Sequence, residues 1–273
     1  MNVALVLFTV LSQLAVGTLV TLWLIDTLGN RVSMATGKFL SFAVVGITGV
    51  SLLSTLFHLG QPLQSFMAIS NLGTSWLSRE IAAFSLFLLL AAIYCLQWKE
   101  QAGAQRKWIG GLGALAGIAG VVISGCVYTL PAMPAWNNFL PIFSFLMTAI
   151  ILGPLFVSTV LLWKREASVP DISAWALVAL VVSALSYCVY LTTNYGGLIE
   201  QQMTASQIFN SGAFWIRAII GWIIPIGMLG YFKYKRQEIS LQTVAVTFLL
   251  VLIGELVARE LFYSTIVGFQ IGL

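Results

Sequence analysis

The sequence predicts an all-α, polytopic membrane protein: a bundle of about eight transmembrane helices with both termini outside. Of the 273 residues, 59% are hydrophobic and 8% are charged, whereas soluble proteins carry about 25% charged residues. Apolar stretches of the roughly 20 residues that a bilayer core requires recur from end to end. Their period is helical, not the alternation typical of an outer-membrane barrel.

The predicted spans follow one another with short connections. No Lys or Arg precedes the first span and no small-residue cleavage site follows it, so we expect this span to stay as a membrane helix. No run of Gly, Ser or Pro marks a linker, and residues 1–273 are therefore expected to form a single transmembrane domain. The spans are Val3–Ile25, Gly37–Phe57, Ser78–Gln97, Lys107–Tyr128, Asn138–Trp163, Ile172–Thr192, Gly212–Phe232 and Leu241–Phe262.

The distribution of basic residues predicts the orientation. Short loops rich in Lys and Arg stay in the cytoplasm, so the odd-numbered loops should face inward and both termini outward. Ten of the 13 Lys and Arg residues lie in the odd-numbered loops or at their edges: Arg31, Lys38, Lys99, Arg106, Lys107, Lys164, Arg165, Lys233, Lys235 and Arg236.

The remaining ionisable residues map to the outer half of the protein. Charges at membrane depth are costly and tend to face a bundle interior or a cavity, so their convergence points to a site. This set comprises His58, Arg79, Glu80, Glu200, Arg217, Glu255, Arg259 and Glu260.

His58 and Glu80 are the first candidates for chemistry. Gly60 and Pro62 form a helix stop after His58, and histidine exchanges protons near neutral pH. Ser78 is a candidate N-cap that would place Glu80 in a first helical turn, where a carboxylate is favoured. For each residue taken by itself, a position at a helix end could thus explain why a charged or titratable side chain occurs there. The pair should nevertheless lie at one depth, where it could pass protons between a buried ligand and water.

Two further features have both structural and functional interpretations. Glu255 and Arg259 are four residues apart, in the favourable order for a helical ion pair. Arg217 could fix a carboxylate or a ligand oxygen, or extend to the interface. The outer aromatic residues suit either an interfacial belt or the walls of a pocket for a flat ligand: Trp76, Tyr128, Trp136 and Phe139.

Several cofactor classes are excluded by composition. One histidine cannot supply bis-histidine ligation to a b-type haem. Cys95, Cys126 and Cys188 show no metal-ligand spacing, and we expect buried structural thiols. The lysines lie at the cytoplasmic edges, which argues against a retinal Schiff base. Any electrons would therefore pass directly between a bound ligand and a partner's cofactor.

The motifs in these segments resemble those of a known family. The protein resembles the membrane-anchor subunit of bacterial dimethyl sulfoxide reductase, the DmsC family, over nearly its whole length. The first two of the matching segments are fairly specific together: His58-Leu59-Gly60-Gln61-Pro62, the run from Asn71 to Ile81, Val127-Tyr128, Gly153-Pro154-Leu155, and Gly254-Glu255-Leu256 with Arg259 and Phe262-Tyr263.

The resemblance implies a haem-free anchor that oxidises menaquinol near the periplasmic face of the bacterial inner membrane in anaerobic respiration. Electrons would pass to a four-cluster iron–sulfur subunit and then to a molybdopterin catalytic subunit. It implies catalytic roles for His58 and Glu80. The expected quinol-binding residues are His58, Gly60, Glu80, Tyr128, Arg217, Glu255 and Arg259.

Three positions depart from the family pattern. Arg79 stands where a small polar residue is expected, Cys126 where an arginine is expected, and Glu260 where a small residue is expected. They leave open the fine architecture of the pocket and the terminal acceptor.

Two other functions remain alternatives at this stage. A small-solute or ion transporter could use the same outer ionisable cluster, although such proteins favour midplane sites and internal repeats, and we find no repeat in the sequence. A purely structural anchor without a ligand is the other, and the His58–Glu80 pair argues against it.

Overall fold

The computed structural model describes residues 3–28, 32–56, 71–99, 103–166, 171, 173–236 and 239–269. Eight helical spans in these residues are long and apolar enough to cross a membrane, and the regular secondary structure of the same ranges is all helical. The predicted all-α, polytopic membrane class is therefore confirmed. His58 and Gly60 lie outside the described residues.

The helical elements follow the predicted spans closely, with one short helix added. The seventh span is continuous but built from three pieces, one of them a wider π-helical turn. In order along the sequence the elements are α1 (Val3–Thr27), α2 (Met34–Leu56), α3 (Trp76–Leu96), α4 (Gly103–Val127), α5 (Leu140–Trp163), α6 (Ser173–Tyr195), α7 (Ile199–Asn210), α8 (Gly212–Ile216), the π segment (Arg217–Ile223), α9 (Ile224–Lys235) and α10 (Leu241–Ser264).

Helices α1 and α5 form the centre of the bundle. They pack against each other, and they are the most buried of the eight spans. On one side α2 and α4 pack against α1, and α3 packs against α2 and α4. On the other side α6 and α10 pack against α5, and the seventh span packs against α6 and α10. The outward faces carry large apolar side chains such as Phe42 and Leu115, exposed by 68% and 67%, as expected where lipid is the solvent.

Two glycines allow the central pair to approach closely. A Cβ atom on Gly17 would lie 2.0 Å from the carbonyl oxygen of Ala149, and one on Gly153 would lie 2.1 Å from the carbonyl carbon of Gly17. Backbone therefore contacts backbone at this crossing, a mode of packing that small residues permit between membrane helices.

The two ends of the bundle differ in charge. We call the end where α3 and α5 begin, and where α4 and α10 end, the Glu80 end; the opposite end is the basic end. At the basic end, Arg106 on α4 and Asp26 on α1 form a buried ion pair at 2.7 Å, and the Arg106 guanidinium also lies over the ring of Trp98. Arg106, which the sequence analysis placed in a cytoplasmic loop or at its edge, thus joins α4 to α1.

Two local predictions were wrong. The cap of α3 is Ser75, whose side chain accepts a hydrogen bond from the Ser78 backbone N–H, so Glu80 lies in the second turn. The stretch Thr193–Ser211, which lies between the sixth and seventh predicted spans and was expected to be a connection, contains α7, which buries Thr204, Ala205 and Ile208. Helix α7 is much less hydrophobic than the membrane spans, so the apolar pattern of the sequence did not predict it.

The prediction that the three cysteines are buried was wrong. Cys95 and Cys126 are half-buried, and Cys188 is exposed on α6. A position inside a membrane span need not face the protein interior, because lipid replaces water on the outer face.

Candidate functional site

Glu80 brings a carboxylate into the interior of the Glu80 end. It is 4% exposed, and its Oε1 has no hydrogen-bond partner among the described residues. Ser124 on the neighbouring α4 lies close to this carboxylate, but its hydroxyl makes no hydrogen bond of normal geometry to it or to another described residue. A buried polar atom without a partner is costly, so this position is suited to a ligand that can donate a hydrogen bond.

A cluster of aromatic residues lies beside Glu80. Tyr263 donates a hydrogen bond from its hydroxyl to that of Tyr128 at 2.9 Å, and Glu80 is near enough to interact electrostatically with both hydroxyls. Phe262 stacks on Trp136, with ring centroids 4.6 Å apart and planes inclined by 16°. Tyr128 and Trp136 are thus joined in one wall.

The other outer aromatic residues do not join this wall. Trp76 and Phe139 are 44% and 64% exposed, as is typical of an interfacial belt. Arg79 lies over the ring of Trp76 and donates hydrogen bonds to the carbonyl oxygens of Leu72 and Gly73. Its described contacts thus order the segment before α3.

A second group of buried charges lies deeper in the same end. Arg259 donates a hydrogen bond to the side-chain oxygen of Gln13 at 2.8 Å, and a longer one to Thr148 at 3.3 Å. Thr148 in turn donates to Oε2 of Glu255 at 2.6 Å. Thr148 lies eight residues after Leu140, about 12 Å along the axis of α5.

The predicted direct ion pair between Glu255 and Arg259 is therefore wrong. The carboxylate of Glu255 is instead 3.9 Å from the guanidinium of Arg217 on the neighbouring span, and Thr148 links it to Arg259. Helical spacing places both side chains on one face of α10. Their closest polar contacts are nevertheless with residues of α1, α5 and the π segment.

Arg217 is buried, contrary to the alternative that it extends to the interface. It is 4% exposed and its guanidinium lies 4.2 Å from the ring centroid of Tyr187 and 4.4 Å from that of Trp222. Arg259 similarly lies 3.6 Å from the centroid of Phe145. Aromatic faces thus stabilise both guanidinium groups, of which Arg217 lies beside the Glu255 carboxylate and Arg259 is linked to it through Thr148.

Five of the expected quinol-binding residues are described, and all lie at the Glu80 end: Glu80, Tyr128, Arg217, Glu255 and Arg259. Sequence analysis missed Gln13 and Thr148 as their partners. A glutamine and a threonine inside apolar spans were the available signal, since polar residues in membrane helices usually have partners there.

No group of three or more His, Cys, Asp or Glu side chains suited to a metal ion occurs in the described part of the protein. The groups that form the candidate site are carboxylates, guanidinium groups, hydroxyls and aromatic rings.

Comparison with known proteins decides the family. The model for the dimethyl sulfoxide reductase anchor subunit (DmsC) matches residues 1–265. The protein belongs to the DmsC family. As a DmsC-family protein it is a multi-pass membrane anchor subunit of a redox-enzyme complex.

Curated relatives agree with this assignment. The protein is 28% identical over 272 residues to the C subunit of anaerobic dimethyl sulfoxide reductase from Haemophilus influenzae. It is 27% identical over 282 residues to the YnfH subunit of an Escherichia coli anaerobic dimethyl sulfoxide reductase, and 25% identical over 284 residues to the C subunit from that organism. Each comparison covers 95% of this protein and 93% of the relative.

Proposed function

We propose that this protein binds and oxidises menaquinol near the periplasmic face of the bacterial inner membrane. The electrons pass to a four-cluster iron–sulfur subunit and from it to the molybdopterin catalytic subunit of a dimethyl sulfoxide reductase-like enzyme. Membership of the DmsC family supports the anchor role. The buried ionisable groups at the Glu80 end support a ligand site there.

The observation that carries the proposal is the state of Glu80. A carboxylate that is 4% exposed, with an oxygen lacking a described partner, suits a neutral ligand with hydroxyl groups. A quinol is such a ligand, because each hydroxyl can donate a hydrogen bond to the carboxylate. The neighbouring aromatic wall of Tyr128, Trp136 and Phe262 suits its flat ring.

Oxidation of a quinol releases two electrons and two protons, and these need separate destinations. His58 accepts a proton from a quinol hydroxyl, and Glu80 passes protons toward the outer water. Gly60 belongs to the segment that holds the ring, and Tyr128 contributes to its wall. Arg217, Glu255 and Arg259 order the pocket through the buried network that includes Thr148 and Gln13.

Both the quinol site and the partners are assigned to the periplasmic side. The basic end faces the cytoplasm, in keeping with the distribution of Lys and Arg. The outer connections Thr129–Asn137 and Thr193–Ser211, the second of which contains α7, provide the docking surface at the Glu80 end. Protons released there match those consumed by an outside reductase, so turnover moves little net charge across the membrane.

The test compares quinol-driven reduction by the intact complex with reduction driven by a dye that feeds the soluble subunits directly. The variants are His58→Ala and Glu80→Gln. Glu260→Gln is the matched control, because Glu260 is a half-exposed carboxylate at the same end of the bundle. Assembly of all three subunits is verified by gel filtration.

We expect His58→Ala and Glu80→Gln to lower quinol-driven activity at least tenfold while dye-driven activity is kept. Glu260→Gln should retain both activities. Full quinol activity in His58→Ala and Glu80→Gln would remove this site from the mechanism. Loss of activity with the dye as well would point to a defect in assembly.

A further inference from the structure

The segment that follows α10 crosses the Glu80 end and joins its outer connections. We call this segment, Thr265–Phe269, the C-terminal brace. The backbone N–H of Val267 donates a hydrogen bond to the side-chain oxygen of Thr204 on α7 at 3.1 Å. The backbone N–H of Phe269 donates to the carbonyl oxygen of Ala132 at 3.0 Å. The brace thus links α10 to both of the outer connections.

Close packing also holds the brace against the connection between α4 and α5. A Cβ atom on Gly268 would lie 2.9 Å from the sulfur of Met133 and 3.3 Å from the carbonyl oxygen of Ala132. The Thr265 hydroxyl donates to the carbonyl oxygen of Leu261 at 2.7 Å, which fixes the turn where α10 ends. A surface whose backbone is already ordered loses less entropy when a partner binds.

The side chains exposed around the brace are apolar. Phe269 is 49% exposed, and Leu130 and Met203 are each 43% exposed; we call these three residues the outer apolar patch. Each lies within two residues of a hydrogen bond that the brace makes to an outer connection. Residues 129–138 and 261–269 contain no charged side chain.

The patch lies outside the hydrocarbon core of the membrane. Helices α4 and α10 contain 25 and 24 residues, about 36–38 Å of helix, whereas the hydrocarbon core is about 30 Å thick. The brace and the patch come after the outer ends of these helices. The adjacent α7 exposes Gln202, Gln207 and Asn210, as expected in water. Exposed apolar groups in such a place indicate contact with another protein.

The position of the patch beside the aromatic wall identifies the partner. Phe262 of the wall precedes the brace by three residues, and its ring stacks on Trp136. The backbone N–H of Trp136 donates to the carbonyl oxygen of Met133 at 2.9 Å, and Met133 packs against the brace. The patch therefore adjoins the wall on its outer side. Electrons leaving a quinol at the wall have a short path to the protein surface here, so the subunit that accepts them should cover it.

We propose that the C-terminal brace and the outer apolar patch form the centre of the docking surface for the iron–sulfur subunit, which meets them with an uncharged, apolar surface. In the choice of partner the inference rests on the proposed function. Docking here brings the nearest cluster close to the stacked Trp136 and Phe262. Association depends on apolar contact at the core of the interface, not on ion pairs that salt would screen.

The first test is photocrosslinking in the intact complex on washed membranes. Phe269 is replaced by photoreactive benzoylphenylalanine, and the same replacement of Phe139 is the control. Phe139 is 64% exposed at the same end, but its described ring contact is with Phe143 of its own helix, α5. After illumination, mass spectrometry identifies the adducts.

We expect an adduct with the iron–sulfur subunit from position 269, at least tenfold more abundant than from position 139. Equal yields from the two positions would overturn the proposal. So would the absence of this adduct, or adducts from position 269 formed only with phospholipid, with the catalytic subunit or with a second copy of the anchor.

The second test measures how much of the soluble subunits stays on the membrane, from dye-driven reductase activity in the membrane and wash fractions. Phe269→Asp and Leu130→Asp place a charge in the patch, and Phe269→Leu keeps it apolar. Phe139→Asp is the matched control for an added charge at this end. The amount of anchor in each membrane is measured by immunoblot.

The fraction bound per anchor should fall at least fivefold in Phe269→Asp and Leu130→Asp, and stay within twofold in Phe269→Leu and Phe139→Asp. A wash in about 1 M salt, which reduces the screening length to roughly 3 Å, should release little activity from unmodified membranes. Full retention in both aspartate variants, or release of most activity by salt, would contradict the apolar docking surface. The crosslink decides even if an aspartate variant fails to fold.

The Glu80→Gln complex separates this inference from the proposed function. A retained adduct from position 269 with quinol turnover lost supports both. A retained adduct with full quinol turnover contradicts the assigned role of Glu80 and leaves the docking surface intact. Aspartate variants that keep both their soluble subunits and their quinol turnover overturn only the docking surface.

Discussion

At the scale of single residues, Thr148 has a larger role than its size suggests. Its hydroxyl lies between two charged side chains of α10, donating to Glu255 and accepting from Arg259. In a low-dielectric interior, a group that satisfies two charges at once is costly to remove. Neither charged residue has its helical neighbour as its direct partner, so the network depends on α5.

We expect Thr148→Val to lower stability by about 1–3 kcal/mol, the usual cost of leaving buried polar groups unsatisfied. The shape of the side chain is nearly kept, so packing changes little. Thermal unfolding in detergent, followed by circular dichroism, measures the change.

Thr159→Val is the matched control on the same helix. The Thr159 hydroxyl donates to the carbonyl oxygen of Leu155 within its own helix, so its removal should shift the unfolding midpoint much less. Equal shifts in the two variants would show that the network around Glu255 adds no particular stability.

At the scale of helices, the seventh span owes its position to contact with α10 at two glycines. A Cβ atom on Gly254 would lie 2.4 Å from the Cα of Gly221, and one on Gly221 would lie 3.0 Å from the Cα of Gly254. Gly221 belongs to the π segment that begins with Arg217. Close approach at this point brings Arg217 near Glu255.

Gly254→Ala should therefore destabilise the protein, because its methyl group meets backbone that has to move away. Gly227→Ala, on the same span as Gly221, has no described atom within 4 Å of its new Cβ. That control should be neutral or stabilising by up to about 1 kcal/mol, as alanine favours helix over glycine. Thermal unfolding of both variants checks the prediction, and a stable Gly254→Ala protein would contradict it.

At the scale of the whole molecule, the charge difference between the two ends predicts the orientation in the membrane. The basic end should face the cytoplasm and the Glu80 end the periplasm. The test uses single cysteines in a background without Cys95, Cys126 and Cys188. Gln207→Cys lies on the exposed face of α7 and Gln105→Cys on the first turn of α4.

A membrane-impermeant maleimide added to intact spheroplasts should label the Gln207→Cys protein. The Gln105→Cys protein should be labelled only after the membrane is opened. The reverse pattern would place the Glu80 end in the cytoplasm and would contradict the proposed periplasmic quinol site.

The sequence by itself determined that lipid surrounds most of the protein, how many spans there are, and which end carries the charges that loop positions do not explain. These properties follow from local quantities: apolar length per span, and the sign of charge in each loop. It also identified Glu80, Arg217, Glu255 and Arg259 as residues outside the pattern of ordinary loop charges, because charges in an apolar span are costly wherever their partners are.

Only the tertiary structure decided the partners of those charges. Arg217 meets Glu255 through the crossing at Gly221 and Gly254, and Arg259 meets Gln13 on α1 at the far end of the sequence. Such contacts depend on the order in which helices surround α1 and α5, and helical periodicity within one span carries no information about that order. Helix α7 was missed because it lacks the apolar length that marks a membrane span. The π segment lies inside the predicted seventh span, and apolar length carries no information about how wide a helical turn is.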